Sequence, residues 1–217
     1  MSRSIIKVEQ MDGPAAARAE AAFRSVYAEV FAEPPYHETA DGVTAAFRRF
    51  RTMIRRPAFR AALARTAEGE PVGMAYGHAV PADTGWWDEL TEPVAEDLRR
   101  EDGHRSFGLM EFAVREPWRG HGIARRLHTA LLDQVTAERV LLNVHPASRA
   151  ASAAYRSWGY VRMGSARPSD WPRAYDFMLL DLAHPAPAGA DGTVSAAGPV
   201  SSPGRGGRAV PRPGTRP

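Results

Sequence analysis

Between residues 109 and 135 the chain switches period twice. Residues 109–114, Leu-Met-Glu-Phe-Ala-Val, form a short, almost unbroken apolar run. That is the length and composition of a strand buried on both faces. Residues 115–122 carry Pro117, Gly120 and Gly122. After them Ile123, Ala124, Leu127, Leu131 and Val135 recur on one helical stripe. The pattern predicts a strand over 109–114 and a helix over 120–135. A strand that passes through a glycine loop into an amphipathic helix must lay that helix on a sheet, which excludes an all-helical bundle and an all-β sandwich.

The rest of the first 183 residues reads the same way. Residues 5–8 suggest a short opening strand. Residues 12–31 are Ala-rich, with Phe23, Val26, Tyr27, Val30 and Phe31 at helical spacing until Pro34-Pro35. A second helix, capped by Asp41, places Val43, Phe47, Phe50 and Ile54 on one face and ends before Pro57. Residues 59–66 and 72–80 read as a hairpin around Glu68-Gly69-Glu70. Residues 81–106 are polar, contain Trp86-Trp87, and are long for a connection, so a functional loop with some helix is expected there. Strands over 140–144, 159–163 and 175–182 and a helix over 147–158 complete an α/β domain, a mixed central sheet flanked by helices.

Composition changes at residue 184. The 34 residues 184–217 hold 7 of the 18 prolines and 7 of the 19 glycines, with no Leu, Ile, Phe, Met, Trp or Tyr. They cannot bury enough apolar surface to offset the entropy of ordering, so a disordered Pro/Gly/Ala/Arg-rich tail is expected. The tail holds Arg205, Arg208, Arg212 and Arg216 against Asp191, the whole net charge of +3, and residues 1–183 balance 24 basic against 24 acidic side chains. The charge therefore gives the domain no nucleic-acid footprint. Without cysteine there is no disulfide framework and no thiolate zinc site, which fits a reducing compartment. No apolar stretch has the length of a membrane span or the form of a signal peptide, so a cytoplasmic protein is expected. No His/Asp/Glu cluster has metal-ligand spacing, and no Gly-x-Ser-x-Gly elbow occurs.

The chemistry concentrates at the mouth of the 120–135 helix. First-turn N–H groups have no intrahelical acceptor, and their partial positive charge favours an anion. Gly120 and Gly122 let a pyrophosphate approach the backbone, and Arg119 can add a charge-assisted hydrogen bond. The pattern Arg-Gly-x-Gly-(Ile/Leu/Val)-(Gly/Ala) is expected by chance about once in a hundred such chains.

Here the chain resembles the GNAT-type N-acetyltransferases, whose signature is a strand, Arg/Gln-x-x-Gly-x-(Gly/Ala), and a helix. Arg119, Gly122 and Ala124 stand on the defining positions. Downstream, Ala151, Tyr155 and Gly159-Tyr160 follow the family spacing, with Ser148 where an Asn is usual. The resemblance spans about residues 20–182. It implies the acyl-CoA N-acyltransferase (GNAT) fold for residues 1–183. It also implies acetyl-CoA as co-substrate, cradled by Phe112, Val114, Arg119, Gly120, His121, Gly122, Ile123, Ala124 and Ser148. It implies an oxyanion donor at the Val114 N–H and Tyr155 as the acid that protonates the leaving sulfur; the bland alternative for Tyr155 is packing on the sheet.

A carboxylate inside an apolar strand is unexpected unless paired or used. Glu111 is the candidate general base or ammonium ligand, against a structural salt bridge with an arginine. Strand alternation puts Glu111 and Ala113 opposite Phe112 and Val114, a parity that a bulge would alter. His121 and His128 read as solvated helix residues, and Arg125 and Arg126 as phosphate ligands or a solvated face. Trp86, Trp87, Tyr36 and Glu38 either line the acceptor pocket or pack on the core. The reading is an enzyme that moves an acetyl group to a primary amine of a small molecule or peptide, with no nucleic-acid or membrane partner and a homodimer left open. The alternative is a catalytically inactive acyl-CoA-binding sensor or partner-docking module.

Overall fold

The computed structural model describes residues 5–167, 174–184 and 200–201. Seven strands form one mixed sheet in the order β1-β2-β3-β4-β5-β7-β6. They are β1 Lys7–Met11, β2 Arg60–Arg65, β3 Pro71–Ala79, β4 Ser106–Val114, β5 Arg139–Val144, β6 Val161–Ala166 and β7 Tyr175–Asp181. Neighbours along this order are antiparallel except β4 and β5, which are parallel. A two-residue strand, β8 Val200–Ser201, pairs antiparallel with β4. It falls within the tail, whose remaining residues beyond His184 lie outside those described.

Among the described residues the helices are α1 Gly13–Arg18, α2 Glu20–Ala32, α3 Ala40–Met53, α4 Glu96–Arg99, α5 Ile123–Leu132 and α6 Arg149–Ser157. Residues 12–31, read from periodicity as one helix, are two. Asp12 caps α1 by accepting from the Ala15 N–H at 2.9 Å. Gly13 lies so close to the end of α3 that a Cβ would stand 2.1 Å from the Ile54 carbonyl. That contact ties α1 to α3, while α2 turns away at Ala19 to follow the sheet. Thr39, not Asp41, caps α3, accepting from the Gly42 N–H at 3.1 Å. Asp41 sits in the first turn, where its charge suits the helix dipole.

Two apolar layers sandwich the sheet. On one face Phe23, Tyr27, Phe47 and Phe50 of α2 and α3 meet Leu63, Met74 and Tyr76. On the other, Ile123, Leu127 and Leu131 of α5 and Ala151 and Tyr155 of α6 meet Phe112, Val114, Val140 and Leu142. Each fully buried side chain of this kind contributes about 1.5–3 kcal/mol. The long 81–105 connection is held down by its tryptophans. Trp86 and Trp87 are buried against Phe177, so of their two readings the structure shows core packing.

What positions the site is the seam between β4 and β5. Their ladder runs only from Ser106–Arg139 to Gly108–Leu141. Residues 109–114 of β4 then continue without a β5 partner, which leaves a wedge between the two parallel strands.

Candidate active site

The wedge has two backbone edges and two faces. On β4 the residues bonded to β3 alternate with residues turned the other way. The Arg115 N–H donates to the Val72 carbonyl at 2.9 Å. Counting back, the amides of Val114 and Phe112 turn toward the wedge. β8 registers with Glu111 and Phe112 and also lies against β5, so it stands inside the wedge.

A bulge sets the side-chain parity. Tyr76 pairs with Glu111 and Gly77 with Leu109, which leaves Met110 as the extra residue. Met110 and Glu111 therefore share a face, and Glu111 lies beside Tyr76 on the α2/α3 side with Ala113. Phe112 and Val114 face α5 and α6.

Glu111 is 2% exposed. Its negative field reaches three hydroxyls, and for each of them burial is the larger influence. Burial and then Glu111 push the Tyr76 hydroxyl well above its ordinary range. Tyr36 is also raised, chiefly by burial and against the effect of its hydrogen bond with Ser148. Tyr155 is raised well above its ordinary value by burial, then by Tyr160, Tyr36 and Glu111. Tyr155 thus stays protonated across the working range of pH. It packs edge-on to Phe112 with ring centroids 6.3 Å apart, on the face opposite Glu111. Its hydroxyl is buried and, among the described residues, has no hydrogen-bond partner.

Ser148 is the N-cap residue of α6 but makes no capping bond; its hydroxyl donates to the Tyr36 hydroxyl at 3.4 Å. Tyr36 stands edge-on to His145, and His145 edge-on to Tyr175. The His145 Nδ1 accepts from the Ala147 N–H at 3.1 Å. Tyr36 is thereby brought to the site, whereas Glu38 is turned to its own helix start, accepting from the Thr39 N–H at 3.0 Å.

The loop into α5 lies at the open end of β4. Gly122 is the α5 N-cap in the left-handed region at φ 74°, and Gly120 has φ 78°. A Cβ on Gly122 would meet nothing within 4 Å, so the helix mouth is open. It has no side-chain cap and no acidic residue in its first turn, which suits an anion. The amides of Ile123 and Ala124 head that turn, while their side chains are buried against the sheet.

Arg119 has a different engagement from the pyrophosphate contact expected of it. Its guanidinium forks onto Glu33 at 2.8 and 3.0 Å, and its Nε donates to the Val114 carbonyl at 2.9 Å. One arginine thus joins the end of α2, the glycine loop and the last residue of β4. Because that carbonyl is taken, the Val114 N–H is the group left on the same edge. His121 is exposed, its Nδ1 against the Arg119 carbonyl at 2.8 Å. His128 is not the solvated residue expected: it is buried between Trp158 and Tyr160, because the α5 stripe includes its position. Arg126 reaches away from the helix mouth to the Ile6 carbonyl at 2.8 Å, and Arg125 is exposed.

Sequence reasoning passed over Asn143, His145 and Glu33. Asn143 was open to the same logic as Glu111, a polar residue inside an apolar strand. Glu33 carried no signal, because its partner is 86 residues away. Among the described residues no group of three or more His, Cys, Asp or Glu side chains could hold a metal ion. No described helix is long and apolar enough to cross a membrane.

Comparison with known proteins follows this geometry. Among solved structures, the acetyltransferase of GNAT family from Streptococcus pneumoniae superposes with a TM-score of 0.55 at 14% identity, covering 82% of this chain and 100% of that one. The ribosomal-protein-S18-alanine N-acetyltransferase from Escherichia coli gives a TM-score of 0.53 at 15% identity over 84% and 97% of the two chains. Ard1 from Thermoplasma volcanium gives 0.52 at 17% identity over 81% and 97%. At these identities the likeness is one of fold. No curated protein matches the sequence. A sequence model of the Acetyltransferase (GNAT) family matches residues 21–160, more than half of the chain and the whole run from α2 through the wedge to Tyr160, and the chain therefore belongs to the GNAT acetyltransferase family.

Proposed function

We propose that the protein moves an acetyl group from acetyl-CoA to a primary amine of a small molecule or peptide by direct attack. One arrangement carries the reading: a wedge between parallel strands with a buried carboxylate on one face, Glu111, and on the other a phenol, Tyr155, with no hydrogen-bond partner among the described residues. The residues present suit the co-substrate. The uncapped mouth of α5, with Gly120 and Gly122 in left-handed conformation, accepts the pyrophosphate, and the wedge edge of β4 at Phe112 and Val114 accepts the amide-bearing arm. Acetyl-CoA supplies the activated acyl group as a thioester.

The chain's own groups supply the rest. Glu111, on the α2/α3 face, holds the incoming ammonium and takes its proton. The Val114 N–H, fixed by the Arg119 bond to the carbonyl of the same residue, stabilises the developing oxyanion. Tyr155, held protonated by burial, gives its proton to the departing sulfur. Ser148, Ile123, Ala124 and His121 line the cofactor side through α6 and the helix mouth, and Arg119 acts by positioning.

The test is CoA release with a panel of amines. Tyr155→Phe is expected to lower kcat by about 100-fold with acetyl-CoA affinity unchanged. Because the hydroxyl has no hydrogen-bond partner among the described residues, the variant should be no less stable than the parent. Unchanged turnover would remove Tyr155 from the acid role. In Glu111→Gln the rate should continue to climb above the pH at which the wild type levels off; a superimposable profile would leave Glu111 structural.

A further inference from the structure

On the acceptor face of the wedge stands a second polar side chain that the mechanism above does not use. Asn143 lies on β5, directly after Val140, Leu141 and Leu142, and is 1% exposed. Leu141 and the cross-strand partner of Asn143, Phe177, both belong to the α2/α3 layer. Alternation along β5 puts Asn143 on that same face. The β4–β5 ladder ends at Gly108–Leu141; counted on from that pair, with Met110 as the bulged extra residue, Asn143 falls opposite Glu111 on the facing strand of the wedge. Among the described residues neither its Oδ1 nor its Nδ2 has a hydrogen-bond partner.

A buried carboxamide with both ends unsatisfied is costly, and native structures seldom keep one without a use. Leucine has nearly the same size and would fit this apolar layer without the penalty. The two ends also demand different things. Oδ1 needs a donor, which an attacking amine supplies. Nδ2 needs an acceptor, which a plain alkylamine does not supply. An amine with an oxygen on the neighbouring carbon satisfies both, since the N–C–C–O unit matches the short separation of the carboxamide's own ends. Aminoacyl groups and amino sugars share that unit.

We infer that Asn143 is an acceptor-binding residue that selects amines bearing a vicinal oxygen, holding the N–C–C–O unit in the wedge opposite Glu111. The inference rests on the amine-acceptor reading and adds a substrate class to it.

The test measures acceptor affinity by titration in the presence of CoA, so that it does not depend on turnover; CoA release from acetyl-CoA is followed separately. Glycinamide, glucosamine and ethanolamine are compared with n-propylamine, using wild type, Asn143→Leu and Asn143→Ala. The wild type should prefer at least one vicinal-oxygen amine by about tenfold. In both variants that preference should fall to within about twofold, with acetyl-CoA affinity unchanged. Asn143→Leu should also melt no lower than wild type, because it removes two unpaired polar ends. Glycinamide and glucosamine separate the aminoacyl from the amino-sugar source. A wild type that binds n-propylamine equally well, a preference that survives in the variants, or an Asn143→Leu variant that melts several degrees lower would each overturn the assignment. If the affinities follow the expectation but no amine releases CoA, the transfer reading fails and the binding assignment stands.

Discussion

His128 shows how one buried side chain sets a pH limit on this fold. Its Nε2 lies 3.0 Å from the Tyr160 hydroxyl and its ring lies against Trp158. Tyr160 is itself buried, so its hydroxyl needs an acceptor, and only the neutral imidazole provides one. Burial, with a smaller push from Arg125, lowers the His128 pKa to about 3. The unfolded chain takes up this proton near the ordinary 6.5. Between these values the unfolded state binds more protons than the folded one. Stability is therefore fully present above 6.5 and falls as pH drops toward 3, by up to about 1.4 kcal/mol per pH unit. Urea unfolding at pH 7 and pH 4.5 should show the wild type losing about 2 kcal/mol more than His128→Gln, which keeps an acceptor but cannot titrate. Equal losses would move the acid sensitivity to other groups, of which His78, also lowered chiefly by burial, is the first.

Among the elements, the 81–105 connection owes its place to a buried ion pair. Glu101 and Arg139 bond at 2.8 Å with side chains 1% and 5% exposed. The same Glu101 oxygen accepts from Ser106 at 2.8 Å and from the Trp87 indole at 2.9 Å, and Arg139 lies over the Trp87 ring at 4.9 Å. The cluster clamps the connection to the first residues of β4 and β5, where their ladder begins, and so fixes the closed end of the wedge. Removing one partner leaves a buried charge alone, a loss of about 3–5 kcal/mol. Glu101→Gln should lower the urea midpoint accordingly and open residues 81–105 to limited proteolysis; a variant as stable and as resistant as wild type would refute the clamp. This connection also marks where the sequence stops being legible. The strands and helices carried their periods openly, and the α5 stripe with Gly120 and Gly122 pointed to the helix mouth. The Glu101–Arg139 bond and the Glu33–Arg119 fork join residues 38 and 86 positions apart, through side chains that on the page look like ordinary surface charges. Periodicity also could not show α1 parting from α2, because that break answers to Ile54 at the far end of α3.

At the scale of the whole molecule, the tail and the domain meet in the wedge. β8 pairs with β4 at Glu111 and Phe112, on the edge whose ladder to β5 has already ended. In the proposed reaction the amide-bearing arm of acetyl-CoA uses that same edge, and one strand edge cannot bond two chains at once. The pairing is short, and Pro199 and Pro203 bracket Val200–Ser201, so N–H groups are missing on either side of any longer ladder. Such a contact is displaceable. If the co-substrate uses that edge, β8 is a competitor, and the apparent Kd for the co-substrate is the intrinsic Kd divided by the fraction of molecules with an open wedge. Val200→Pro in the full-length chain removes a ladder donor and should lower the KM for acetyl-CoA by about three- to tenfold at unchanged kcat. A chain ending at residue 184 should behave alike, and a synthetic peptide of residues 194–206 should raise its KM again. If KM stays the same in both altered chains, β8 does not compete with the co-substrate. If kcat falls with it, the strand supports the catalytic edge instead of blocking it.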